Sequence, residues 1–533
     1  MFPVRNGNSS KIGVIDIFAG PGGLGEGFSS FEIPSGTGTH PFELAVSAEM
    51  ERSAHATLRL RAFFRLLLRQ EGEVPHEYWE FLKAASSGSA GAPQEYFRKG
   101  RWKALWDEAD SEALNLTLGT DAGNKALFAR IDAARHSYDE LILIGGPPCQ
   151  AYSLVGRARQ KNVEGFTSKG DPRHFLYRQY LAILARFRPA VFIMENVKGI
   201  LSSKVGSQEM FSSIQRDLGD PSRALGGSQA GDGKSGRYAL LPIHVPLGID
   251  RTEAIVAKDP YGFVIRSEDH GLPQARHRVI IMGIREDCLQ PHVARLPGLA
   301  AGQPVSIDQA LAGLPHLRSG LSRQPDDADA WFDAMEHERR AVVVAVKKQF
   351  PEVAEALAEI VPAADLPRSS SKYAPGRSSA LATNLRGMNP GVVLNHETRG
   401  HMKSDLGRYM FCAVFAQQYG RSPTSADFPR SLAPDHANWE LGGFVDRFRV
   451  QKRGGPASTI TSHLSKDGHA FIHWDAAQCR SLTVREAARL QTFPDDYFFL
   501  GNRTQQFIQV GNAVPPALAV QIAKVVHGVL AGR

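Results

Sequence analysis

The sequence predicts an α/β protein: a doubly wound, parallel sheet that carries the chemistry, with a second, smaller domain. Three observations predict it. Short apolar runs of β type recur at 11–18 (KIGVIDIF), 42–50 (FELAVSAEM), 140–148 (ELILIGGPP) and 190–196 (AVFIMEN), with helical periodicity between several of them. That alternation is the signature of strands joined by crossover helices. A glycine-rich turn follows the first run, and beyond about residue 290 the alternation stops, returning near residue 478.

Taken in order, 11–31 reads as strand, turn and helix, with Phe28 and Phe31 on the apolar helix face. The second strand ends in Glu49 and passes into a long, mainly helical insert, about 58–130. Within it Arg61, Arg65 and Arg69 recur every fourth residue, which places one basic stripe on a helix; a solvated face is the expected reading. The third and fourth runs flank the helical pattern HFLYRQYLAILARF, and YALLPIHVPL and HRVIIMGIR supply further strands after the loop GGSQAGDGKSGR. Residues 291–477 mix helical pieces with Pro/Ser/Arg-rich loops and read as the smaller domain; 478–533 is again cleanly helical and is expected to rejoin the 1–290 body. No internal repeat is found.

The bulk numbers narrow the class. The 533 residues are 42% hydrophobic and 22% charged, ordinary for a globular chain. The net charge of +7 suits a polyanionic partner without requiring one. The four cysteines, Cys149, Cys288, Cys412 and Cys479, form no CxxC pair, so a zinc cluster or disulfide scaffold is not expected and a reducing compartment is. The start lacks a signal-peptide pattern, and no apolar run approaches the roughly 18 residues of a membrane span, so a cytoplasmic protein is expected. GDGKS (231–235) lacks the first glycine of a phosphate loop, and HETRGH (396–401) spaces its histidines by five, off a single helical face. No metal site is expected; His396 and His401 read as structural or phosphate-contacting.

The residues with chemical meaning sit at strand ends. Gly20-Pro21-Gly22-Gly23-Leu24-Gly25 follows a strand and opens a helix, so backbone can approach a ligand, and Glu49 supplies an acid for ribose hydroxyls. A dinucleotide and an adenosyl ligand would both satisfy this pattern. Gly145-Gly146-Pro147-Pro148-Cys149-Gln150 places a thiol on a proline-stiffened turn at a strand's carboxyl end, a better setting for a nucleophile than for a buried structural cysteine. Glu195 ends the fourth run, on the same sheet edge, as a candidate acid. Arg276 and Arg278, two residues apart at the start of a strand, would share a face, either as a pair of surface salt bridges or as a clamp for a carboxylate, phosphate or base oxygen.

These pieces together resemble the DNA (cytosine-5)-methyltransferase family. The resemblance rests on DIFAGPGG (16–23), GGPPCQAYS (145–153), ENV (195–197), QARHR (274–278), RSLTVREAARLQTFPDDY (480–497) and QVGNAVPP (509–516), in the family's order. It implies a Rossmann-like catalytic domain that uses S-adenosyl-L-methionine and releases S-adenosyl-L-homocysteine, with 291–477 as a target-recognition domain. By the same resemblance Asp16, Phe18, Ala19, Gly20, Gly22 and Gly23 hold the cofactor, Glu49 its ribose, Met50 its adenine, and Asp132 its amino group. Pro148, Leu176, Asn512 and Ala513 are implied as further cofactor contacts. Cys149 matches the nucleophile and Glu195 the acid beside the cytosine ring nitrogen. Arg276 and Arg278 match the clamp.

The chemistry implied explains the residue types. A thiolate added at carbon 6 makes carbon 5 of cytosine nucleophilic, and a protonated Glu195 would stabilise the charge that develops on the ring. A stacked base is out of reach, so the nucleotide must be extruded from double-stranded DNA. Gln150, Ser153, Arg157, Arg159 and Gln274 are the DNA contacts expected on this reading, with Arg368, Lys372, Arg377 and Arg386 as candidates in the smaller domain. A monomer acting on DNA is expected, beside a separately encoded restriction nuclease or other phage-defence proteins. A tRNA cytosine-5 methyltransferase and a non-catalytic DNA binder are the competing readings; intact Cys149, Glu195 and paired arginines speak against the second.

Overall fold

The computed structural model describes residues 11–148, 172–202, 204–205, 208–226, 236–244, 260–362, 365–376, 378–389, 391–435, 439 and 446–531. Cys149, Gln150, Ser153, Arg157, Arg159 and Arg377, and the GDGKS segment, lie outside the described residues.

Eight strands form the central sheet: β1 (Ile12–Ile17), β2 (Phe42–Glu49), β3 (Ala113–Asn115), β4 (Glu140–Gly145), β5 (Val191–Val197), β6 (Tyr238–Pro242), β7 (Val264–Arg266) and β8 (His277–Arg285). Their order is β3-β2-β1-β4-β5-β8-β6, with β7 also paired to β8. The first five run parallel, and β8 is antiparallel to β5, β6 and β7. The sheet is therefore mixed rather than parallel throughout. Every residue of β1 is buried, as a strand covered on both faces requires, and its IGVIDI sequence is correspondingly almost continuous in apolar residues.

The expected insert is mostly helical, as its periodicity indicates, with one short strand inside it. Helix α1 (Gly23–Ser30) follows the glycine turn; α2 (Arg52–Glu71), α3 (His76–Ser86) and α4 (Lys103–Glu112) then form an aromatic cluster around Phe63, Tyr78, Phe97 and Trp106. The chain next returns to the sheet as β3, a three-residue strand too short to stand out by periodicity, before α5 (Asp121–Ala134). The arginines of α2 form a solvated face only at its C-terminal end. Arg61 is 7% exposed and bonds Glu26 (2.5 Å) and Asp496 (2.9 Å), and Arg65 pairs with Glu112; Arg69 is exposed and pairs with Glu43. The Arg61 and Arg65 pairs are internal and tie the insert to α1 and the C-terminal segment.

Helix α6 (Pro172–Phe187) covers the sheet face opposite α1. Past residue 300, α7 (Ala328–Val346), α8 (Pro351–Ala358) and α9 (Lys403–Tyr419) share one core. A separate core joins Ile307, Leu311, Val393 and Ile460 to α10 (Val484–Leu490) and α11 (Arg503–Asn512). Helix α10 starts in a capping box made by Thr483 and Glu486. It buries Arg485 and Arg489 completely: Arg489 pairs with Asp495 at 2.6 Å and donates to the carbonyls of Ala310 and Ala312.

The last helix, α12 (Pro516–Leu530), packs on α1. The stretch Arg503–Leu530 is long and apolar enough to pass a membrane-span test on composition, with a mean hydropathy of 1.5, which the reading of short apolar runs missed. It is 61% buried inside the protein, which marks it as core.

Candidate active site

Strand order places the site. β1 has β2 on one side and β4 on the other, so the connections leave in opposite directions and a crevice opens at the carboxyl ends of these strands. Register brings the ends level: Ile17 lies opposite Ala48 of β2 and Gly145 of β4, and Gly145 opposite Met194 of β5. The residues that follow these positions are Phe18, Glu49, Gly146 and Glu195. Four separate motifs in the sequence thus meet at one edge.

A cavity of about 380 Å³ occupies this edge. It is lined by the expected Asp16, Phe18, Ala19, Gly20, Glu49 and Met50, by Pro148 and Leu176, and by Asn512 and Ala513; Glu195 lines it as well. The carboxylate of Glu49 accepts the backbone N–H groups of Gly20 (2.8 Å) and Glu51 (2.7 Å), so the acid is anchored to the glycine turn. Burial pushes its carboxyl up. Asp16 is 1% exposed, and neither of its carboxyl oxygens has a hydrogen-bond partner among the described residues. Burial, with Glu49 nearby, raises it to about 8 despite the pull of Arg65. An unpartnered carboxyl on a cavity wall fits a polar or cationic ligand group.

Gly22 and Gly23 serve the turn rather than the cavity surface. Gly22 caps α1 at φ 100°, a left-handed conformation that glycine adopts freely. A Cβ on Gly23 would lie 2.2 Å from the Val514 carbonyl oxygen, so this glycine lets the C-terminal segment close over the turn.

Glu195 is held from the neighbouring strand: Arg278 Nε lies 3.0 Å from its Oε1, and both side chains are mostly buried. Asn196 donates to the Pro147 carbonyl at 3.2 Å, fixing the proline turn that leads to Cys149. Arg278 therefore acts on Glu195.

Three expectations need correction. Arg276 does not share a strand face with Arg278, because it falls in the break between Gln274–Ala275 and β8. It is 3% exposed and donates to the carbonyls of Ile460 (2.8 Å) and Gly511 (3.3 Å); burial and the nearby Arg278 lower its guanidinium to about 9. Gln274 is fully buried, donating to Leu490 and Gln491 and accepting from Ile460 N–H, so it is a structural tie with no surface to offer DNA. Asp132 sits on α5, paired with Arg186 at 2.7 Å, and is absent from the cavity wall. Leu116 and Leu118, just after β3, line the cavity instead.

The reading also missed Glu51, Ile508 and Gln509 on the wall. Gln509 stands three residues before Asn512 on α11, a spacing that shares a helix face and could have flagged it. The rejected HETRGH pattern is structural at His396, which bonds Thr483 Oγ1 (2.8 Å) and the Pro315 carbonyl (3.1 Å). Among the described residues no cluster of three metal-binding side chains occurs.

Comparison with known proteins decides the family. A model of the C-5 cytosine-specific DNA methylases matches residues 126–220 and 334–528. The type II methyltransferase M.Bpa9945I of Bacillus paralicheniformis is 30% identical over 98% of this chain and 99% of its own length. The chain belongs to the C-5 cytosine-specific DNA methylase family. This methylase is also similar to the DNA (cytosine-5-)-methyltransferase M.ApeKI of Aeropyrum pernix, with 25% identity over 74% of this chain and 82% of that protein. In fold it matches a solved structure described as a DNA modification methyltransferase encoded within a prophage (E. coli), with a TM-score of 0.51, 19% identity, and coverage of 98% of this chain and 100% of that one. The methylase is a cytosine-5 methyltransferase enzyme with a Rossmann-like fold, as its sequence motifs led one to expect.

Proposed function

We propose that this methylase transfers a methyl group from S-adenosyl-L-methionine to carbon 5 of a cytosine extruded from a specific duplex DNA sequence. The reaction would run through a transient bond from the Cys149 sulfur to carbon 6. The observation that carries this reading is the convergence of the glycine turn, Glu49, the Pro147-Pro148 turn and Glu195 on one 380 Å³ cavity.

Bound S-adenosyl-L-methionine would supply an electrophilic methyl group. The chain's own residues do the rest. Glu49 faces the ribose end, with Phe18, Met50, Leu116 and Leu118 as apolar walls; Asp16 and Asn512 offer polar atoms to the amino-acid end. Pro147, held by Asn196, and Pro148 line the same cavity as Glu195 and directly precede Cys149, the proposed nucleophile, in the sequence. Glu195, held by Arg278, gives a proton to the cytosine ring nitrogen as the thiolate adds. Carbon 5, now nucleophilic, would take the methyl group; a base then removes the carbon 5 proton, the electron pair of that C–H bond expels the Cys149 thiolate from carbon 6, and the ring nitrogen returns its proton to Glu195.

The region 291–477 would read the target through the major groove. Type II relatives favour a role in protecting host DNA beside a separately encoded nuclease, with one protomer acting on DNA in the cytoplasm. The experiment is bisulfite sequencing of plasmid DNA from cells expressing the chain, with Cys149→Ser as control. Methylation at one recurring sequence, lost in the variant, is the expected result. Unmethylated plasmid, or methylation that survives the substitution, would refute the reading.

A further inference from the structure

A second cavity, of about 640 Å³, lies outside the site described above. Its wall carries Arg323, Arg368, Arg399, Arg447, Lys466 and Arg503. Of the carboxylates on that wall, Asp405 is paired off the wall with Arg408 at 2.8 Å, and Asp467 compensates the wall's own Arg447 at 3.1 Å.

The remaining cations are poorly compensated. Arg503 and Arg368 both donate to the Thr398 carbonyl (2.7 and 2.9 Å) and share one exposed carboxylate, Glu397, at 3.5 Å from each; Arg368 also has Asp326 at 4.0 Å, itself paired with Arg318 at 2.9 Å. Arg399 has no carboxylate partner: its Nη atoms donate to the carbonyls of Lys466 (2.7 Å) and Leu464 (2.6 Å), and its guanidinium lies over the Phe507 ring. Its buried Nε has no partner. Burial and neighbouring guanidinium groups hold Arg399 and Arg503 below the usual arginine range. Arg323 and Lys466 are exposed, and neither has an ion-pair partner among the described residues. Guanidinium groups fixed side by side repel one another unless an anion sits between them, and a fork of fixed N–H donors suits phosphate oxygens.

Helix α11 connects this cavity to the first. Arg503 and Thr504 line the basic cavity at its start; Ile508, Gln509 and Asn512 line the cofactor cavity at its end. At about 1.5 Å per residue the lining residues of the two walls are roughly 6 Å apart along the helix at their nearest, Thr504 to Ile508, and roughly 13 Å at their farthest, Arg503 to Asn512. About two to four base-pair steps of duplex cover the same distances.

We propose that the basic cavity is a phosphodiester-binding site for the backbone of the DNA that the enzyme is modifying. It rests on the reading that the chain acts on duplex DNA, and it adds a contact independent of base identity. Such a contact sets register and orientation and contributes to affinity through counterion release, with no sequence information of its own.

The test uses the full chain and the double variant Arg323→Ala/Lys466→Ala, which removes the two exposed, uncompensated cations. Binding to target and non-target duplexes is followed by fluorescence anisotropy across a salt series, together with melting temperature, S-adenosyl-L-methionine affinity and competition by pyrophosphate. The expected result is weaker binding to both duplexes alike and a log–log salt slope smaller by about 2, with melting and cofactor affinity unchanged. An unchanged slope and affinity, with the wild type methylating DNA normally, would overturn this site alone. Lost pyrophosphate binding with unchanged DNA binding would overturn it in favour of a small phosphorylated ligand. A wild type that binds no duplex would take the functional reading and this site down together.

Discussion

Arg61 Nη1 lies 2.9 Å from Asp496 Oδ1, joining residues 435 positions apart in the chain. The same guanidinium holds Glu26 on α1, and Tyr497, next to Asp496, donates its hydroxyl to the Pro21 carbonyl of the glycine turn. The cofactor turn is thus clamped from the insert and from the C-terminal segment at once. Burial raises Asp496, while Arg61 holds Glu26 low despite burial.

Arg61→Met should leave buried Asp496 without its counter-ion and Glu26 with only Arg65, at 3.8 Å. The expected loss is about 3–5 kcal/mol of stability, read from denaturant unfolding. Adding Glu26→Gln and Asp496→Asn to the same chain should recover part of it. A single variant as stable as the wild type would show that the clamp contributes nothing.

Arg278→Met should lower kcat for methylation by roughly 10-fold or more, with S-adenosyl-L-methionine affinity near wild type, because the arginine contacts Glu195 and does not line the cofactor cavity. Glu195→Gln, which removes the acid itself, should cost roughly 10²–10⁴-fold. Single-turnover methylation and isothermal titration separate the two effects. Equal activity of Arg278→Met and wild type would break the link between the pair and the chemistry.

Gly23→Ala should be destabilising by about 1–3 kcal/mol through overpacking against the Val514 carbonyl oxygen. Gly20→Ala, at φ 58°, is strained by its backbone but meets no atom within 4 Å. Thermal melts of both variants should put Gly23→Ala lower.

Two buried groups give opposite pH responses. Asp16 is raised to about 8, so the folded state holds a proton that the unfolded state gives up near pH 4. Stability from this group falls as pH rises from about 4 to 8, by at most about 1.4 kcal/mol per pH unit. His396 is lowered to about 4 by burial, so the unfolded state protonates first and stability falls as pH drops from about 6.5 to 4. Denaturant midpoints of the cofactor-free enzyme measured from pH 4 to 8.5 should show Asp16→Asn removing a downward slope throughout, so that stability rises more steeply from pH 4 to 6.5 and falls less from pH 6.5 to 8. An unchanged alkaline slope in that variant would remove Asp16 as its source.

Much of the site was legible because its residues are bound to strand ends, where apolar runs stop and chemistry begins. Phe18, Glu49, Pro148 and Glu195 could be placed on one edge before any coordinates, since parallel strands leave their carboxyl ends together. Three features were hidden for physical reasons. β3 is three residues long and carries no period. Arg276 and Gln274 look like surface groups by type, and only tertiary packing reveals that their polar atoms are spent on the carbonyls of Ile460, Gly511 and Leu490. The α2 stripe has the spacing of a solvated face, yet its counter-charges Glu26 and Asp496 come from distant parts of the chain, which spacing cannot show.

The cofactor cavity draws its floor from residues 16–20 and its lid from Asn512, Ala513 and Val514. A ribosome adding about 5–20 residues per second reaches the second group roughly 25 to 100 s after the first. Throughout that interval the emerging polypeptide has its glycine turn but no closed cradle. A nascent chain that has not yet reached Asn512 therefore carries an open crevice in place of the cavity.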